Sequence, residues 1–223
     1  MNITAPYIQT QSVNFKYDRS EFEIKDLSIK LYKDDFTALT GENGCGKTTA
    51  GKLFTGILKP RTGSVLLKGR DTERMDLGEI GKEIGYLFQN PEKQMFATSV
   101  FDDIVFPLLI NGTDPDTARE KAFKIMRELE IEHLKDEYPY NLSHGEKQRA
   151  AIAGILVNGA GFLILDEPTT ALDKTRKELL GSILKNLHEA GTGILIISHD
   201  EKFIGKFCNR KIKMNAGEVI ENE

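Results

Sequence analysis

The sequence predicts an α/β fold with a mainly parallel sheet, and three observations lead to that prediction. The runs "FLILDEP" and "GILIISHD" are short and continuously apolar, as are strands that a parallel sheet buries on both faces. The segment "DKTRKELLGSILKNLHEA" between them has helical spacing, so the three form a βαβ unit. A further apolar run, "FTALTG", leads directly into a glycine-rich loop and a helix.

The other strands are predicted from alternation and from the residues that bound them. "FEIKDLSIKLY" alternates apolar and polar residues, which predicts one half-buried strand. "GSVLLKG" is a strand between glycines, and "IGYLFQN" is a strand that a proline ends. The tail "RKIKMNAGEVIENE" predicts a hairpin with its turn at 215–217.

Helical patterns dominate the middle of the chain. The glycine-rich loop opens the helix "KTTAGKLFTGIL", which we expect to continue until shortly before Pro60. Most of the spacing from 99 to 157 is helical, with Asp114 at the N-cap and Pro115 in the first turn of one helix. We therefore predict one domain, 1–223, in which a helical subdomain (90–158) interrupts an α/β core (1–89 and 159–223).

The composition of the chain limits which partners and which cellular location we expect for it. The 223 residues are 39% hydrophobic and 29% charged, which is ordinary for a globular protein. A net charge of -4, from 30 basic and 34 acidic residues, gives no electrostatic footprint for nucleic acid as a main partner. Two cysteines and no recognisable signal peptide indicate a reducing cytoplasm. The longest apolar run, "IVFPLLI", is far shorter than a membrane span of roughly 18 residues, so we expect no bilayer crossing by this chain.

The glycine-rich loop has the pattern of a phosphate-binding site. "GENGCGKTT" fits G-x-x-x-x-G-K-[ST] between a buried strand and a helix. The backbone N–H groups and the helix N-terminus favour an anion, Lys47 can reach the β- and γ-phosphates of ATP, and the Thr48 hydroxyl can ligate Mg²⁺. The residues predicted to bind nucleotide here are Gly41, Glu42, Asn43, Gly44, Cys45, Gly46, Lys47, Thr48 and Thr49.

Polar residues at the ends of the other buried strands suit catalysis. Asp166 would hold the metal, directly or through water, and Glu167 would orient and polarise the attacking water. His199 ends the next strand, where it can hydrogen-bond the γ-phosphate. Gln89 can ligate Mg²⁺ or water and join it to the helical insert, although a purely structural role is equally compatible with the sequence.

The stretch "NLSHGEKQRAAIAGILV", 141–157, places a serine and a glycine at the start of a predicted helix. Backbone N–H groups at such a start can hold an anion. No lysine accompanies them, which distinguishes this stretch from the phosphate loop. The residues alone leave open which anion the stretch serves.

These motifs, in this order, resemble those of the ATP-binding cassette (ABC) family, the ATPase subunits of ABC transporters, over essentially the whole chain. "GENGCGKT" is similar to the phosphate loop of the family, "LSHGE" to its signature and "FLILDE" to its metal-and-water strand. Gln89 matches the Q-loop, "ALD" at 171–173 the D-loop, His199 the switch histidine and Tyr17 the aromatic residue that stacks on adenine. The resemblance implies a P-loop NTPase core with an N-terminal antiparallel β subdomain and an α-helical insert.

The resemblance also implies a partner, a second ABC ATPase subunit in a homodimer or a heterodimer. Cassettes of this family meet head to tail, and each signature closes over the ATP held by the other phosphate loop. Ser143 and the backbone around Gly145 would then donate to the γ-phosphate, with Glu146 and Asp173 also in the nucleotide site. His144 in place of a glycine and Glu146 in place of a glutamine depart from the usual signature.

A narrower resemblance lies in "FQNPEKQMFATSVFDDIVFPL", which is similar to the same region of energy-coupling factor ATPases and of cobalt- or nickel-type importers. It implies that integral membrane subunits dock near residues 88–106 and hold the chain at the cytoplasmic face of the membrane. Phe88, Met95, Phe96 and Phe101 would form the apolar side of that groove. Many members carry an extension after the hairpin that keeps the ATPases paired. Because the sequence ends at "GEVIENE", we expect an ATP-dependent dimer or pairing imposed by membrane partners.

Three other classes share the cassette. DNA-repair ATPases carry a long coiled coil in the insert, but no sustained heptads occur here. Translation-type ATPases carry two cassettes in one chain. A module that binds without hydrolysis is disfavoured because Lys47, Glu167 and His199 are all present. The sequence therefore favours a transport ATPase with ATP and Mg²⁺ as cofactors, importing a vitamin or a metal ion that no residue here identifies.

Overall fold

The computed structural model describes residues 5–19 and 21–222, which form two sheets and a set of helices. The strands are β1 (Ile8–Lys16), β2 (Glu23–Leu27), β3 (Lys30–Leu31), β4 (Phe36–Gly41), β5 (Thr62–Leu67), β6 (Arg70–Asp71), β7 (Ile84–Leu87), β8 (Phe162–Asp166), β9 (Gly193–Ile197), β10 (Arg210–Asn215) and β11 (Glu218–Asn222). The α-helices are α1 (Lys47–Phe54), α2 (Leu77–Glu83), α3 (Val100–Ile110), α4 (Pro115–Glu128), α5 (His144–Leu156), α6 (Lys174–Glu189) and α7 (Glu201–Phe207).

The main sheet has the strand order β11-β10-β4-β9-β8-β7. All neighbours pair in parallel except β10 and β11, which form the predicted hairpin. Every residue of β8 and β9 is buried, as their continuous apolar sequences predicted, and α6 joins them as a βαβ unit. The carboxyl ends of β4, β7, β8 and β9 therefore meet at one edge of the sheet.

The second sheet is the antiparallel β subdomain, built from β1, β2, β3, β5 and β6. The prediction of a single strand over "FEIKDLSIKLY" is wrong, because the chain breaks between β2 and β3. At the break Ser28 accepts from the Ser12 N–H at 3.0 Å, and Thr10 accepts from the Ile29 N–H at 2.8 Å. Side-chain hydroxyls thus replace the regular ladder, and two short strands result.

Hydrophobic cores lie on both faces of the main sheet. On one face α1 packs between the two sheets, and Phe162 and Ile164 of β8 point toward it. On the other face Leu163 and Leu165 of the same strand meet the helices α3 to α6. This alternation along β8 explains why its sequence is apolar without interruption.

The segment 90–158 is described in full and contains α3, α4, α5 and short 3-10 turns but no strand. Asp114 caps α4 as predicted, since its carboxylate accepts from the Thr117 N–H at 3.1 Å. The helix after the phosphate loop is shorter than predicted, because α1 ends at Phe54 and Gly56 turns the chain at φ 69°. Among the described residues, none of the helices is long and apolar enough to cross a membrane.

The turn of the β10–β11 hairpin gives the first testable prediction. Gly217 has φ 86°, and a Cβ there would lie 2.1 Å from the Glu23 carbonyl oxygen. Gly69 has φ 80° with no atom within 4 Å of an added Cβ. We expect Gly69→Ala to lower the free energy of unfolding by about 1 kcal/mol, the cost of a left-handed alanine. Gly217→Ala should lower it by about 3 kcal/mol or more, because backbone must also move.

Denaturant unfolding of the two variants and the parent measures this difference. Equal losses for the two alanine variants would contradict the packing argument, since they share the same backbone conformation and differ in what surrounds the new methyl group.

Candidate functional site

A cleft of about 300 Å³ lies at the edge where the parallel strands end. Residues from five separate parts of the sequence form it, and each part lies at or next to one end of a strand. The cleft is lined by Phe22, Asn43, Gly44, Gly46, Lys47, Thr48, Thr49, Gln89, Asp166, Glu167 and Ile197. The fold therefore brings the predicted phosphate loop, the acidic strand end and the predicted Q-loop residue into one place.

The phosphate loop connects β4 to α1 and holds its lysine inward. Lys47 is buried, and its Nζ donates to the carbonyl oxygens of Gly41 at 2.8 Å and Glu42 at 2.9 Å. The loop is braced from the hairpin, because the Gly217 N–H donates to the Cys45 carbonyl at 3.0 Å. An ammonium group is thus fixed at the helix N-terminus, where a phosphate would be favoured.

Gly46 is the residue that lets this loop enter α1. Its φ is 109°, and a Cβ would lie 2.6 Å from Ile24 and 2.7 Å from Phe22. Cys45 beside it is buried, with its Sγ 4.0 Å from Lys47 Nζ. Phe22 also lines the cleft, although no motif pointed to it. Its only signal was an aromatic residue shortly after Tyr17.

Asp166 ends β8 almost completely buried. Tyr86 donates its hydroxyl to Oδ2 at 3.4 Å, while Oδ1 is buried without a hydrogen bond. Burial raises the pKa of the Asp166 carboxyl, and the nearby Thr48 side chain opposes that rise. A carboxylate oxygen left unsatisfied beside a hydroxyl is a fitting donor pair for Mg²⁺.

Few protein side chains are placed to coordinate that Mg²⁺ ion. The described residues contain no cluster of three or more His, Cys, Asp or Glu side chains arranged to hold a metal. Mg²⁺ usually takes one or two protein ligands and fills its other positions with water and substrate phosphates. The Thr48 hydroxyl and the Asp166 carboxylate therefore fit the nucleotide-bound metal of the prediction.

Glu167 follows in an unusual backbone conformation. Its φ is 53°, and its N–H donates to the Ile197 carbonyl of β9 at 2.8 Å. Oε1 lies 3.0 Å from His199 Nδ1, and Oε2 is buried without a hydrogen bond. The His199 side chain is 75% exposed. One carboxylate oxygen is thus oriented by histidine, and the other is left to meet a ligand such as water.

Gln89 lies two residues beyond the end of β7, not at its end as predicted. Its position depends on Gln94, which sequence reasoning did not select as a site residue. Gln94 Oε1 accepts from the Phe88 N–H at 2.8 Å, and its Nε2 donates to the Tyr86 carbonyl at 3.2 Å. The amide pairs with the backbone as a neighbouring strand would and fixes the exit of the chain toward Gln89. The signal available was a glutamine shortly after "FQNP".

Tyr17 lies beside the start of α1. Its ring meets Phe15 edge to face at 4.8 Å, and its hydroxyl is 3.4 Å from Thr49 Oγ1. The side chain is partly exposed. It is therefore placed to offer an aromatic surface next to the phosphate loop.

The signature and the D-loop form a separate surface. Ser143 caps α5, and its hydroxyl and N–H donate to Glu146 Oε2 at 2.6 Å and 2.9 Å. Hydrogen bonds from Ser143 lower the pKa of the Glu146 carboxyl. Asp173 caps α6 by accepting from the Arg176 N–H at 2.9 Å. Of the described residues, none from 143–146 or 171–173 is among those lining the cleft that contains Lys47.

Fold and site together define a P-loop ATPase domain with a helical insert. Residues 24–170 match the family model described as ABC transporter, so the chain belongs to the ABC transporter family. The predicted class, an ABC ATPase, is confirmed.

Curated relatives agree with this assignment. The chain is 35% identical over 212 residues to an ABC transporter ATP-binding protein of Caldanaerobacter subterraneus and 38% identical over 213 residues to one of Clostridium tetani. It covers only 37% and 48% of these two proteins, using 95% and 96% of its own length. It is 33% identical over 216 residues to the energy-coupling factor transporter ATP-binding protein EcfA3 of Clostridium perfringens, covering 96% of this chain and 76% of that protein.

Two solved structures share the fold over nearly the whole chain. One is cbiO1 of Clostridium perfringens, part of the ABC transporter complex cbiONQ, with a TM-score of 0.84, 32% identity and coverage of 98% of this chain and 88% of that chain. The other is a dimeric ATP-binding cassette in a post-hydrolysis state bound to ADP and Pi, with a TM-score of 0.88, 27% identity and coverage of 97% of each chain.

The buried carboxylate of Asp166 generates the second prediction. Its folded-state pKa lies above the unfolded value, so ionisation at pH 7 opposes folding, and this penalty disappears as the pH falls below the unfolded pKa. Asp166→Asn should therefore raise the free energy of unfolding at pH 7, by roughly 1–3 kcal/mol, because the amide carries no charge whose burial opposes folding. The advantage of the variant should shrink as the pH is lowered.

Denaturant unfolding in the absence of nucleotide, repeated at several pH values, measures the effect. Asp18→Asn is the control, because the Asp18 side chain is 97% exposed and its removal should change little. An Asp166→Asn variant less stable than the parent at pH 7 would contradict the burial argument.

Proposed function

We propose that this chain is the ATP-binding and ATP-hydrolysing subunit of an energy-coupling factor type importer. It would work at the cytoplasmic face of the membrane and drive uptake of a vitamin or a metal ion through separate membrane proteins. The likeness to EcfA3 and to cbiO1 supports this proposal. The observation that carries its chemistry is the buried, unpaired carboxylate oxygen of Glu167 at the cleft that Lys47 lines.

Nucleotide binding would begin at the phosphate loop. The Lys47 ammonium group, now held by two loop carbonyls, would donate to the β- and γ-phosphates instead. Tyr17 would stack on the adenine. Thr48 and Asp166, with Gln89 at the cleft edge, would hold Mg²⁺, which when bound neutralises charge on the phosphates.

Hydrolysis would follow from the arrangement of two side chains. Glu167 Oε2 would accept a hydrogen bond from the attacking water and take its proton as the oxygen bonds to the γ-phosphorus. The bond from that phosphorus to the bridging oxygen breaks, which releases ADP and phosphate. His199 would keep Oε1 in place and contact the γ-phosphate with its exposed ring.

The separate position of the signature supports a head-to-tail dimer. Ser143 and Gly145 would complete the site of a second cassette, with Glu146 and Asp173 close to the same interface. The solved cassette that retains ADP and Pi as a dimer has the same fold. For Ser143 to donate to a phosphate, its hydroxyl must turn away from Glu146, because both acceptors need the same proton.

The third prediction tests the ATPase and the dimer together. Glu167→Gln should bind MgATP but hydrolyse it at least about 100-fold more slowly, because an amide cannot accept the proton of water. With ATP retained, the variant should reach about twice the 25.0 kDa of one chain in light scattering. Glu120→Gln, an exposed change on α4, is the matched control and should behave as the parent.

The double variant Lys47→Ala/Glu167→Gln separates the role of ATP from that of the substitution. It should stay monomeric, since the buried ammonium group that contacts the phosphates is missing. Parent-rate hydrolysis by Glu167→Gln would refute the water-activation role. Monomers with ATP demonstrably bound would refute the dimer.

A groove on the helical insert supports docking to a membrane subunit. It has a volume of about 110 Å³ and lies between the segment after β7, α3 and α5. Phe96, one of its lining residues, is 61% exposed, and Ile110 at the end of α3 is 65% exposed. The groove is lined by Gln94, Met95, Phe96, Val100, Asp103, Pro107, Pro139, Ala150, Ala151, Gly154 and Ile155.

The lining contains two of the four apolar residues that the sequence prediction assigned to a docking groove. Met95 and Phe96 line this groove, whereas Phe88 and Phe101 are not among its lining residues. Phe88 packs on Tyr86 with ring centroids 4.9 Å apart, and Phe101 packs on Phe123 at 5.0 Å. Their apolar character thus serves internal packing.

Asp103 places a carboxylate in a groove whose other lining residues are mostly apolar. Its Oδ1 accepts from the N–H groups of Phe96 and Ala97 at 3.1 Å and 3.0 Å, whereas Oδ2 is buried without a partner. Burial raises the pKa of the Asp103 carboxyl. An arginine or lysine of a membrane subunit would satisfy that oxygen while apolar side chains fill the groove around it.

The fourth prediction concerns this docking. Asp103→Asn keeps the oxygen that the Phe96 and Ala97 N–H groups need but removes the charge, so association with the membrane subunits should weaken about 10-fold or more. Asp116→Asn on α4 removes an exposed carboxylate of the same subdomain and should leave association unchanged. The measurement is co-purification of each tagged variant and of the tagged parent with integral membrane proteins from a detergent extract of the source cells. Equal recovery of the two variants would contradict the groove as docking site.

A further inference from the structure

Gln148 is a polar residue at a fully buried position. It lies in α5, five residues after Ser143, and its relative exposure is 0%. Its Nε2 donates to the Glu167 carbonyl oxygen at 3.5 Å, and its Oε1 is buried without a hydrogen bond. The signature helix therefore contacts the backbone of the residue proposed to activate water.

The Glu167 backbone needs support from its surroundings. A glutamate with φ 53° is strained and persists only where neighbouring groups hold it. The Glu167 N–H donates to the Ile197 carbonyl at 2.8 Å, and the Glu167 carbonyl accepts from the Thr170 N–H at 3.2 Å. Gln148 contacts the same Glu167 carbonyl from the helical insert.

Stability alone does not favour glutamine at this position. A contact of 3.5 Å is at the long limit of a hydrogen bond, and an unsatisfied buried amide oxygen is unfavourable. Methionine has a similar length and no polar group that requires a partner. A small shift of α5 would shorten the amide contact, as catalytic contacts often shorten when substrate binds.

We infer that Gln148 is a positioning residue for ATP hydrolysis, which holds the Glu167 peptide from the signature helix. The inference rests on the proposed function, because it assigns water activation to Glu167. At a rise of 1.5 Å per residue, Ser143 and Gln148 lie about 7.5 Å apart along one helix. Ser143 is exposed, whereas Gln148 contacts the Glu167 carbonyl of its own chain. In the proposed dimer Ser143 would meet the partner cassette. One short helix thus connects the signature to the geometry of Glu167.

The fifth prediction compares Gln148→Met with Ile152→Met. Both change a fully buried side chain of α5, but only the first removes a polar contact to Glu167. We expect Gln148→Met to lower kcat about 10-fold. KM and the Kd for MgATP should stay within twofold of the parent values, and the unfolding midpoint should be unchanged. Ile152→Met should keep the parent kcat.

A double-variant cycle with Glu167→Gln shows whether the effect passes through Glu167. In that background Gln148→Met should cause no further loss in single-turnover hydrolysis of MgATP, because the group that it positions is already absent. An equal loss in both backgrounds would overturn the inference, as would a parent kcat in Gln148→Met. Parent-rate hydrolysis by Glu167→Gln alone would instead refute the proposed function, so the two failures are distinguishable.

Discussion

Parallel pairing of β4, β9, β8 and β7 is the constraint on which the site depends. Strands that run in the same direction end at the same edge, and this brings together groups that are far apart in sequence. The hydrogen bond from the Glu167 N–H to Ile197 extends this pairing past the last residue of β8. Strand register thus decides how far the carboxylate of Glu167 lies from the phosphate loop and from His199.

The edge of the sheet where the strands end contains buried carboxylate oxygens that have no hydrogen-bond partner. Asp166 and Glu167 each keep one buried oxygen without a hydrogen bond, while Lys47 is satisfied by carbonyl oxygens of its own loop. Unsatisfied buried acceptors reduce stability, so their clustering at one cleft is informative. A ligand that brings a cation and a water molecule would satisfy the two carboxylates, and its anionic oxygens could replace the loop carbonyls that now hold Lys47. ATP with hydrated Mg²⁺ has that composition.

Much of the fold follows from local sequence, and the remainder depends on contacts between distant residues. Continuous apolar runs identified β4, β8 and β9, the Asp114 cap identified the start of α4, and a serine with a glycine marked the start of α5. Strand β1 escaped prediction because Ser12, at φ 46°, interrupts its alternation with an irregular register. The phosphate loop and acidic strand end were recognisable from spacing. Gln94 and Gln148 were not, since their roles arise from backbone groups that only the folded chain brings near them.

Helix α5 contributes to two separate surfaces, so a movement of the helix would change both of them. Ala150, Ala151 and Gly154 line the groove on the insert, while Ser143 caps the opposite end of the same helix. Lys147, between them, is tied to Glu92 by an ion pair of 2.5 Å. The small side chains leave the helix axis close to the surface of the groove. If a membrane subunit filled the groove and Ser143 met the phosphate of a second cassette, as proposed, a tilt of α5 as one rigid unit would move both contacts together.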